Sequence, residues 1–534
     1  MLYREGRKQM KAIHISKVYN AIIRWRDFRF RIFGEGILVG IIVGCVISSF
    51  RWALEKAEIS RQVLYQYLKT NSILITVFWF LGLLAISSFL TYLGRKEPMA
   101  SGSGIPQVKG VIAGQMKTNW LKILIVKFIG GVVAIGSGLS LGREGPSVQL
   151  GAVVGQGVSR NLTRTRMEEK YLMTSGSSAG LAAAFNAPLA GVIFALEELH
   201  KNFSSVALTS AVAAALSATF VSQEIFGDYP VFQFPELLTF PLSYYGILLV
   251  SGFCLGWVGV LFHKGIFSAL DYYEKKTWPV YLGKAVFPLI LAGILGFFLP
   301  EVLGGGNQLV DMLAKEDLGF YFLWALLLAK FSFTMFSYGS GVPGGIFLPM
   351  LVIGALVGSL LSKILIIFGF LPSEYGVNLI VLSMAGLFSA IVKAPITGSV
   401  LIMEMTGSFN HMLSLIVISM AAFLVVDAMK ISPIYEALLD RSLNKNKHSL
   451  KHINNENRIV LEVTVQIGSK LDGKYIKDID WPKDALLVSI KRGENEIVPV
   501  GDTCLFPGDF IYIMVYSEQY DYVQKLANCQ DIKI

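Results

Sequence analysis

Two distant blocks of this chain carry the same punctuation, and that repetition limits the available folds more than any other feature. Gly142-Arg-Glu-Gly-Pro146-Ser-Val-Gln-Leu-Gly151-Ala-Val-Val-Gly155 aligns without a gap with Gly345-Ile-Phe-Leu-Pro349-Met-Leu-Val-Ile-Gly354-Ala-Leu-Val-Gly358. Further on, Ala-Pro188-Leu-Ala-Gly191 with Glu197 matches Ala-Pro395-Ile-Thr-Gly398 with Glu404. Ala179-Gly180-Leu181 likewise matches Ala385-Gly386-Leu387. Single glycines and prolines recur by chance, but two signatures in the same order and register do not. They divide the chain into related halves, roughly 33–227 and 241–430.

Both halves are strongly apolar. Of 534 residues, 53% are hydrophobic and 16% charged, against about 25% charged in a soluble domain, so the chain reads as a polytopic, all-α membrane protein. Apolar runs stand at about 34–53, 73–94, 119–140, 171–196, 205–226, 242–265, 284–300, 318–337, 345–370, 377–403 and 411–428. Several fall short of the roughly 20 residues that cross a bilayer, and glycine interrupts many. Paired, glycine-broken segments predict re-entrant helices and an inverted-repeat transporter with its site near the midplane.

Arg4, Arg7, Lys8, Lys11, Lys17, Arg24, Arg26, Arg29 and Arg31 precede the first run, which places residues 1–32 in the cytoplasm of a cell-membrane protein. A basic cluster beside a membrane span is a topology signal, so no nucleic-acid partner is expected. No cleavable signal peptide is expected either, because the polar stretch is too long. Cys45, Cys254, Cys504 and Cys529 lack metal-ligand spacing and read as buried or incidental thiols. The six histidines form no ligand pair, and no nucleophile–base grouping appears. Neither a metal, a cofactor nor an enzyme activity is expected.

After Met429 the character changes. The membrane domain is expected over 33–439, a polar linker over 440–458, and a small α+β domain over 459–534. Alternating runs at Ile459–Val465, Ala485–Ile490 and Phe510–Tyr516 read as strands separated by turn signals, with a helix near 518–527. With both termini cytoplasmic, the number of crossings is even.

Three glycine-rich turns open apolar helices: Gly102-Ser103-Gly104-Ile105-Pro106, Gly142 to Pro146, and Gly344-Gly345-Ile346-Phe347-Leu348-Pro349. Each offers unpaired N–H groups and the positive end of a helix dipole to an anion. Ser103 adds a hydroxyl, and Tyr435, beyond the last apolar run, supplies another. Backbone dipoles and hydroxyls suit a weakly held halide that must also leave. Glu144 is different, because a charge at membrane depth costs at least a few kcal/mol. A carboxylate inside an anion site makes anion and proton competitors.

These motifs resemble the CLC family of chloride channels and chloride/proton antiporters, over about 35–440. The block Ala182-Ala-Ala-Phe185-Asn186-Ala187-Pro188-Leu189-Ala190-Gly191 is similar to the family as well. The resemblance implies a homodimer with one pore per subunit and antiparallel halves. It implies chloride held by Ser103, Gly104, Ile105, Ile346, Phe347 and Tyr435, with Glu144 as the gating glutamate. Glu144 and Phe347 are equivalent by the repeat, so one half offers a movable carboxylate where the other offers an apolar side chain.

Glu198 decides between exchanger and channel. Antiporters of the family look similar here, with an internal proton-transfer glutamate, whereas channels usually carry an apolar residue. The alternative is a solvated carboxylate at a helix end. Glu197 aligns with Glu404 and reads as structural; Glu198 faces Met405 in the repeat. The expectation is a secondary active transporter exchanging chloride for protons; a passive voltage- or ligand-gated channel and a membrane-bound sensor are the alternatives. Ser103 resembles the chloride-preferring members, since nitrate-coupled relatives tend to carry proline there. The tail, with Gly468-Ser469-Lys470-Leu471-Asp472-Gly473 and Pro507-Gly508-Asp509, resembles the TrkA C-terminal (RCK type) domain of potassium-uptake regulators. That implies a dimerising domain with a place for a small-molecule ligand.

Overall fold

Helices of the first half are repeated in the second, in the same order. The computed structural model describes residues 2–70, 72–200, 204–232, 234, 237–450, 458–466, 468–492, 495–516 and 519–527. The first half runs α1 (Leu2–Thr70), α2 (Ile73–Lys96), α3 (Ile105–Ile112), α4 (Trp120–Gly136), α5 (Glu144–Asn161), α6 (Arg166–Phe185), α7 (Pro188–Phe194) and α8 (Ser205–Phe226). The second runs α9 (Tyr245–Lys275), α10 (Val286–Phe298), α11 (Asn307–Lys315), α12 (Phe320–Gly339), α13 (Phe347–Ile367), α14 (Gly376–Val392), α15 (Pro395–Thr406) and α16 (Met412–Ala428). Among the described residues, 8 helices are long and apolar enough to cross a membrane. The 8 residues of α3, 7 of α7 and 9 of α11 are too few.

The runs at 171–196 and 377–403 are each two helices rather than one. Asn186 (φ 54°) and Lys393 (φ 60°) end α6 and α14 in the left-handed conformation. Pro188 and Pro395 then open new helices, where the missing N–H costs nothing. Where α5 crosses α6 the backbones touch: a methyl on Gly151 would lie 2.0 Å from the Gly176 oxygen, and one on Gly176 2.1 Å from the Gly151 oxygen. Only glycine permits that approach.

The two halves meet through reciprocal contacts between equivalent residues. Gly142 and Gly345 form an antiparallel bridge, each N–H donating to the other's carbonyl at 2.7 and 2.8 Å. An antiparallel pair of equivalent residues is exchanged by a two-fold rotation, so the halves are inverted relative to each other. Glu197 accepts from the Thr397 N–H at 2.9 Å, in the first turn of α15. Glu404 does the same for α7, accepting from Leu189 and Ala190 at 3.1 and 2.7 Å. A carboxylate at a helix N-terminus satisfies orphan donors and meets the positive dipole end.

Of the thiols, Cys45 and Cys254 are exposed on helices rather than buried, Cys504 is half-buried, and Cys529 lies outside the described residues. Part of the polar stretch after Asp440 is helical, because α17 (Ile434–Leu450) continues to Leu450. Leucine, lysine and arginine there favour helix despite the polar composition.

The chain divides into units Met1–Asp440 and Arg441–Ile534. The second contains β1 (Arg458–Thr464), β2 (Leu486–Arg492), β3 (Asn495–Ile497), β4 (Phe510–Tyr516) and α18 (Tyr520–Ala527). The antiparallel sheet has the order β1-β4-β2-β3; β3, at 3 residues, is too short to show as an alternating run. Leu461, Val463, Ile490, Ile511, Ile513, Val515 and Val523 form its core. Asp509 sits at the rim, where Arg492 donates to it twice, at 2.8 and 2.7 Å. Burial alone would raise the Asp509 carboxyl, but the hydrogen bonds from Arg492 and the Phe506 N–H hold it below the usual carboxylate range.

Candidate functional site

Three helix starts converge where the halves meet. Gly104 adopts φ 92°, open to glycine at little cost, and turns the chain into α3. Its hydrogen cannot become a methyl, which would lie 2.3 Å from Gln149 Oε1 on α5. A methyl on Gly145 would lie 2.4 Å from Ser103 Oγ, so Ser103 is seated against the first turn of α5. A methyl on Gly142 would meet Glu144 Oε2 at 2.3 Å and the Leu348 nitrogen at 3.0 Å. The Glu144 carboxylate therefore lies over the bridge, between the starts of α5 and α13.

Burial and hydrogen bonding make this spot chemically unusual. Ile105, Glu144, Ile346, Phe347 and Tyr435 are wholly buried and Ser103 nearly so. Ser103 Oγ, both Glu144 oxygens and Tyr435 Oη make no side-chain hydrogen bond of good geometry among the described residues. Backbone N–H groups of Glu144 and Leu348 nevertheless face the carboxylate. Buried polar atoms are nearly always paired, so unpartnered ones gathered at helix N-termini mark a place for a polar ligand. Phe347 is fixed by Phe185, Phe194 and Phe388, with ring centroids 5.4, 6.2 and 4.9 Å away. That packing holds the first turn of α13, and its N–H groups, in place.

Tyr435, in the first turn of α17, lies within electrostatic reach of Tyr338, Glu198 and Glu144. The structure thus brings Ser103, Gly104, Ile105, Glu144, Ile346, Phe347 and Tyr435 to one region. Glu198 stands apart, on a wider π turn (Ala195–His200) that continues α7. It is buried, not solvated, which removes the reading of a helix-end carboxylate in water. Its Oε1 accepts from Lys109 Nζ at 2.7 Å.

A cavity of about 320 Å³ opens beside the starts of α5 and α13, where Arg143 and Leu348 are among its lining residues. Arg51, Arg61 and Arg143 line it with Glu55, Glu58 and Leu348. The arginines outnumber the carboxylates in the wall, which favours anions near its mouth.

Several residues of the site carry no sequence motif. Lys127 on α4 is wholly buried and donates to the Ala100 and Gly102 carbonyls at 3.1 and 2.6 Å, directly behind Ser103. Lys330 on α12 repeats this, donating to Val302 and Gly304 at 2.8 and 2.9 Å. Each cation holds a glycine turn in place by satisfying two of its carbonyls. The available signal was a lysine in the middle of an apolar helix, Lys127 in α4 and Lys330 in α12, which is rarely accidental. Tyr338, Gln149 and Lys109 were likewise visible only through the fold.

Comparison with known proteins agrees with this geometry. Residues 81–427 match the family described as "Voltage gated chloride channel", and residues 460–528 match the TrkA-C domain. The H(+)/Cl(-) exchange transporter ClcA of Vibrio cholerae serotype O1 is 36% identical over 426 residues, covering 77% of this chain and 89% of that protein. ClcA of Yersinia pseudotuberculosis is 32% identical over 424 residues, covering 77% and 88%. A slow cyanobacterial Cl-/H+ antiporter superposes with a TM-score of 0.74 at 30% identity, covering 78% of this chain and 99% of that one. With two inverted halves, a buried glutamate between the starts of α5 and α13 and this extent of similarity, the chain belongs to the voltage-gated chloride channel (CLC) family.

Proposed function

We propose that this protein exchanges chloride for protons across the membrane, with Glu144 as the group for which the two ions compete. The observation that carries the reading is the Glu144 carboxylate itself: wholly buried, without a side-chain partner, and set between the starts of α5 and α13. Ionised, it occupies the positive field of those helix ends; protonated, it loses that attraction and yields the place to chloride. Ser103, Tyr435 and the N–H groups around Gly104, Ile105, Ile346 and Phe347 are the chloride donors. Glu198 is the internal proton site, isolated from bulk water but held by Lys109. The arginine-lined cavity gathers anions on the Glu144 side. A glutamate at position 198, rather than the apolar residue of channels, favours exchange over passive conduction.

The same reading makes the protein a homodimer with a pore in each subunit. It places the basic N-terminus and the C-terminal domain in the cytoplasm and gives the latter a small-molecule ligand. Tyr435→Phe tests the anion site. Removing one hydroxyl donor to an anion should weaken chloride binding by about tenfold, within the range for hydrogen bonds to charged groups. Isothermal titration calorimetry on the detergent-solubilised protein reads this directly. Unchanged affinity would remove Tyr435 from the site.

A further inference from the structure

Glu198 is too well sealed to take a proton straight from water. Its side chain is 5% exposed, and its Lys109 partner on α3 is 8% exposed. The same Lys109 ammonium lies 3.4 Å from Glu436 Oε1, and Glu436 is 30% exposed. One buried cation thus bridges two carboxylates, of which one is enclosed and the other reaches solvent. Glu436 follows Tyr435 directly, so α17 presents one residue to the anion site and the next to this cluster.

From this geometry we propose that Glu436 is the port through which protons reach Glu198, with Lys109 as the positioning residue between them. The inference rests on Glu198 being the internal proton site. A proton from water first bonds to a Glu436 oxygen, which weakens the hold of Glu436 on Lys109. Lys109 then pairs with ionised Glu198 alone. In the next step the O–H bond on Glu436 breaks and one on Glu198 forms, while the ammonium shifts from Glu198 to the newly ionised Glu436. Before and after this step the three groups sum to zero charge. Moving a proton at constant charge avoids creating an uncompensated ion in a low-dielectric interior. The shift asked of Lys109 is small, since its nitrogen already stands at 2.7 and 3.4 Å from the two acceptors.

No other titratable side chain is needed. Tyr435 lies next to Glu436 and faces Glu198, Glu144 and Tyr338, and it serves as a hydroxyl donor. His200, on the same π turn as Glu198, faces Thr174 and Lys170 instead.

The test is made on the full chain in liposomes, recording chloride and proton flux together. Glu436→Gln should lower proton flux by about a hundredfold relative to chloride flux, the low end expected for loss of a positioned proton-transfer group. It should also flatten the dependence of proton flux on pH at the face where Glu436 opens, leaving the dependence at the opposite face. Glu436→Asp should restore much of both, and Lys109→Arg should retain more coupling than Lys109→Met. An equal fall of the two fluxes in Glu436→Gln would assign Glu436 a structural role and overturn the proposal. So would a native flux ratio with a native pH profile. If Glu436→Gln does not fold, Glu436→Ala takes its place, and a native flux ratio with a native pH profile at that face overturns the port. Glu198→Gln separates the two levels. If it stays fully coupled, the reading of Glu198 fails; if it uncouples while Glu436→Gln does not, only the port fails.

Discussion

Glu144→Ala should turn the exchanger into a passive anion pathway, with chloride still crossing and proton transport reduced to that of protein-free liposomes. The argument starts from electrostatics. The carboxylate sits between two helix starts, faced by backbone N–H groups and with Arg143 as its neighbouring charge. Those groups attract whichever anion is present, and in the parent protein the tethered carboxylate is always the nearest one. Alanine removes the competitor, so chloride meets the helix ends unopposed. It also removes the carboxylate on which the proposed coupling to protons rests. Both effects follow from one side chain, and for that reason the loss of coupling should be complete rather than partial. Simultaneous fluorescence and chloride-electrode recordings from proteoliposomes check it. If Glu144→Ala stops chloride as well, Glu144 supports the pore rather than gating it.

Glu198→Gln should separate the two ions in another way: proton flux falls to background while chloride flux continues. Glutamine keeps the size of glutamate and can still accept from Lys109, now at 2.7 Å from the carboxylate, but it cannot carry a proton at neutral pH. Chloride is spared because Glu198 lies on the π turn beyond α7, away from the three helix starts. A structural role predicts something else. Breaking a buried ion pair leaves a cation without its partner and costs about 3–5 kcal/mol, which would lower the amount of folded protein and both fluxes together. Equal loss of both fluxes per folded molecule would therefore exclude Glu198 from the proton route.

Much of this was legible in the sequence. The repeat registers Gly142 with Gly345, and those residues pair in the fold. It registers Glu197 with Glu404, and each caps the other half's short helix. Glu144 stood out because an ionisable residue in apolar surroundings is costly wherever it occurs. What the sequence hid depends on distance in space. Lys109 touches Glu198 and Glu436 across 89 and 327 residues, and no spacing rule connects them. Lys127 and Lys330 reach backbone carbonyls, which leave no trace in side-chain patterns. The merged apolar runs hid a physical break as well. Hydropathy does not register a left-handed residue at Asn186 or Lys393, and in the sequence Pro188 and Pro395 stand only as markers of the repeat. Helix over 440–450 was missed because polarity there outweighed propensity.

The central claim is that one buried carboxylate ties the movement of two ions together. Proteoliposomes holding the native protein, loaded with chloride and diluted into low-chloride medium at equal pH, test it most directly. As chloride leaves, protons should enter against the gradient they build, so that the weakly buffered medium turns alkaline until a protonophore reverses it. Chloride efflux with no pH change, or with protons moving only downhill, would contradict the account.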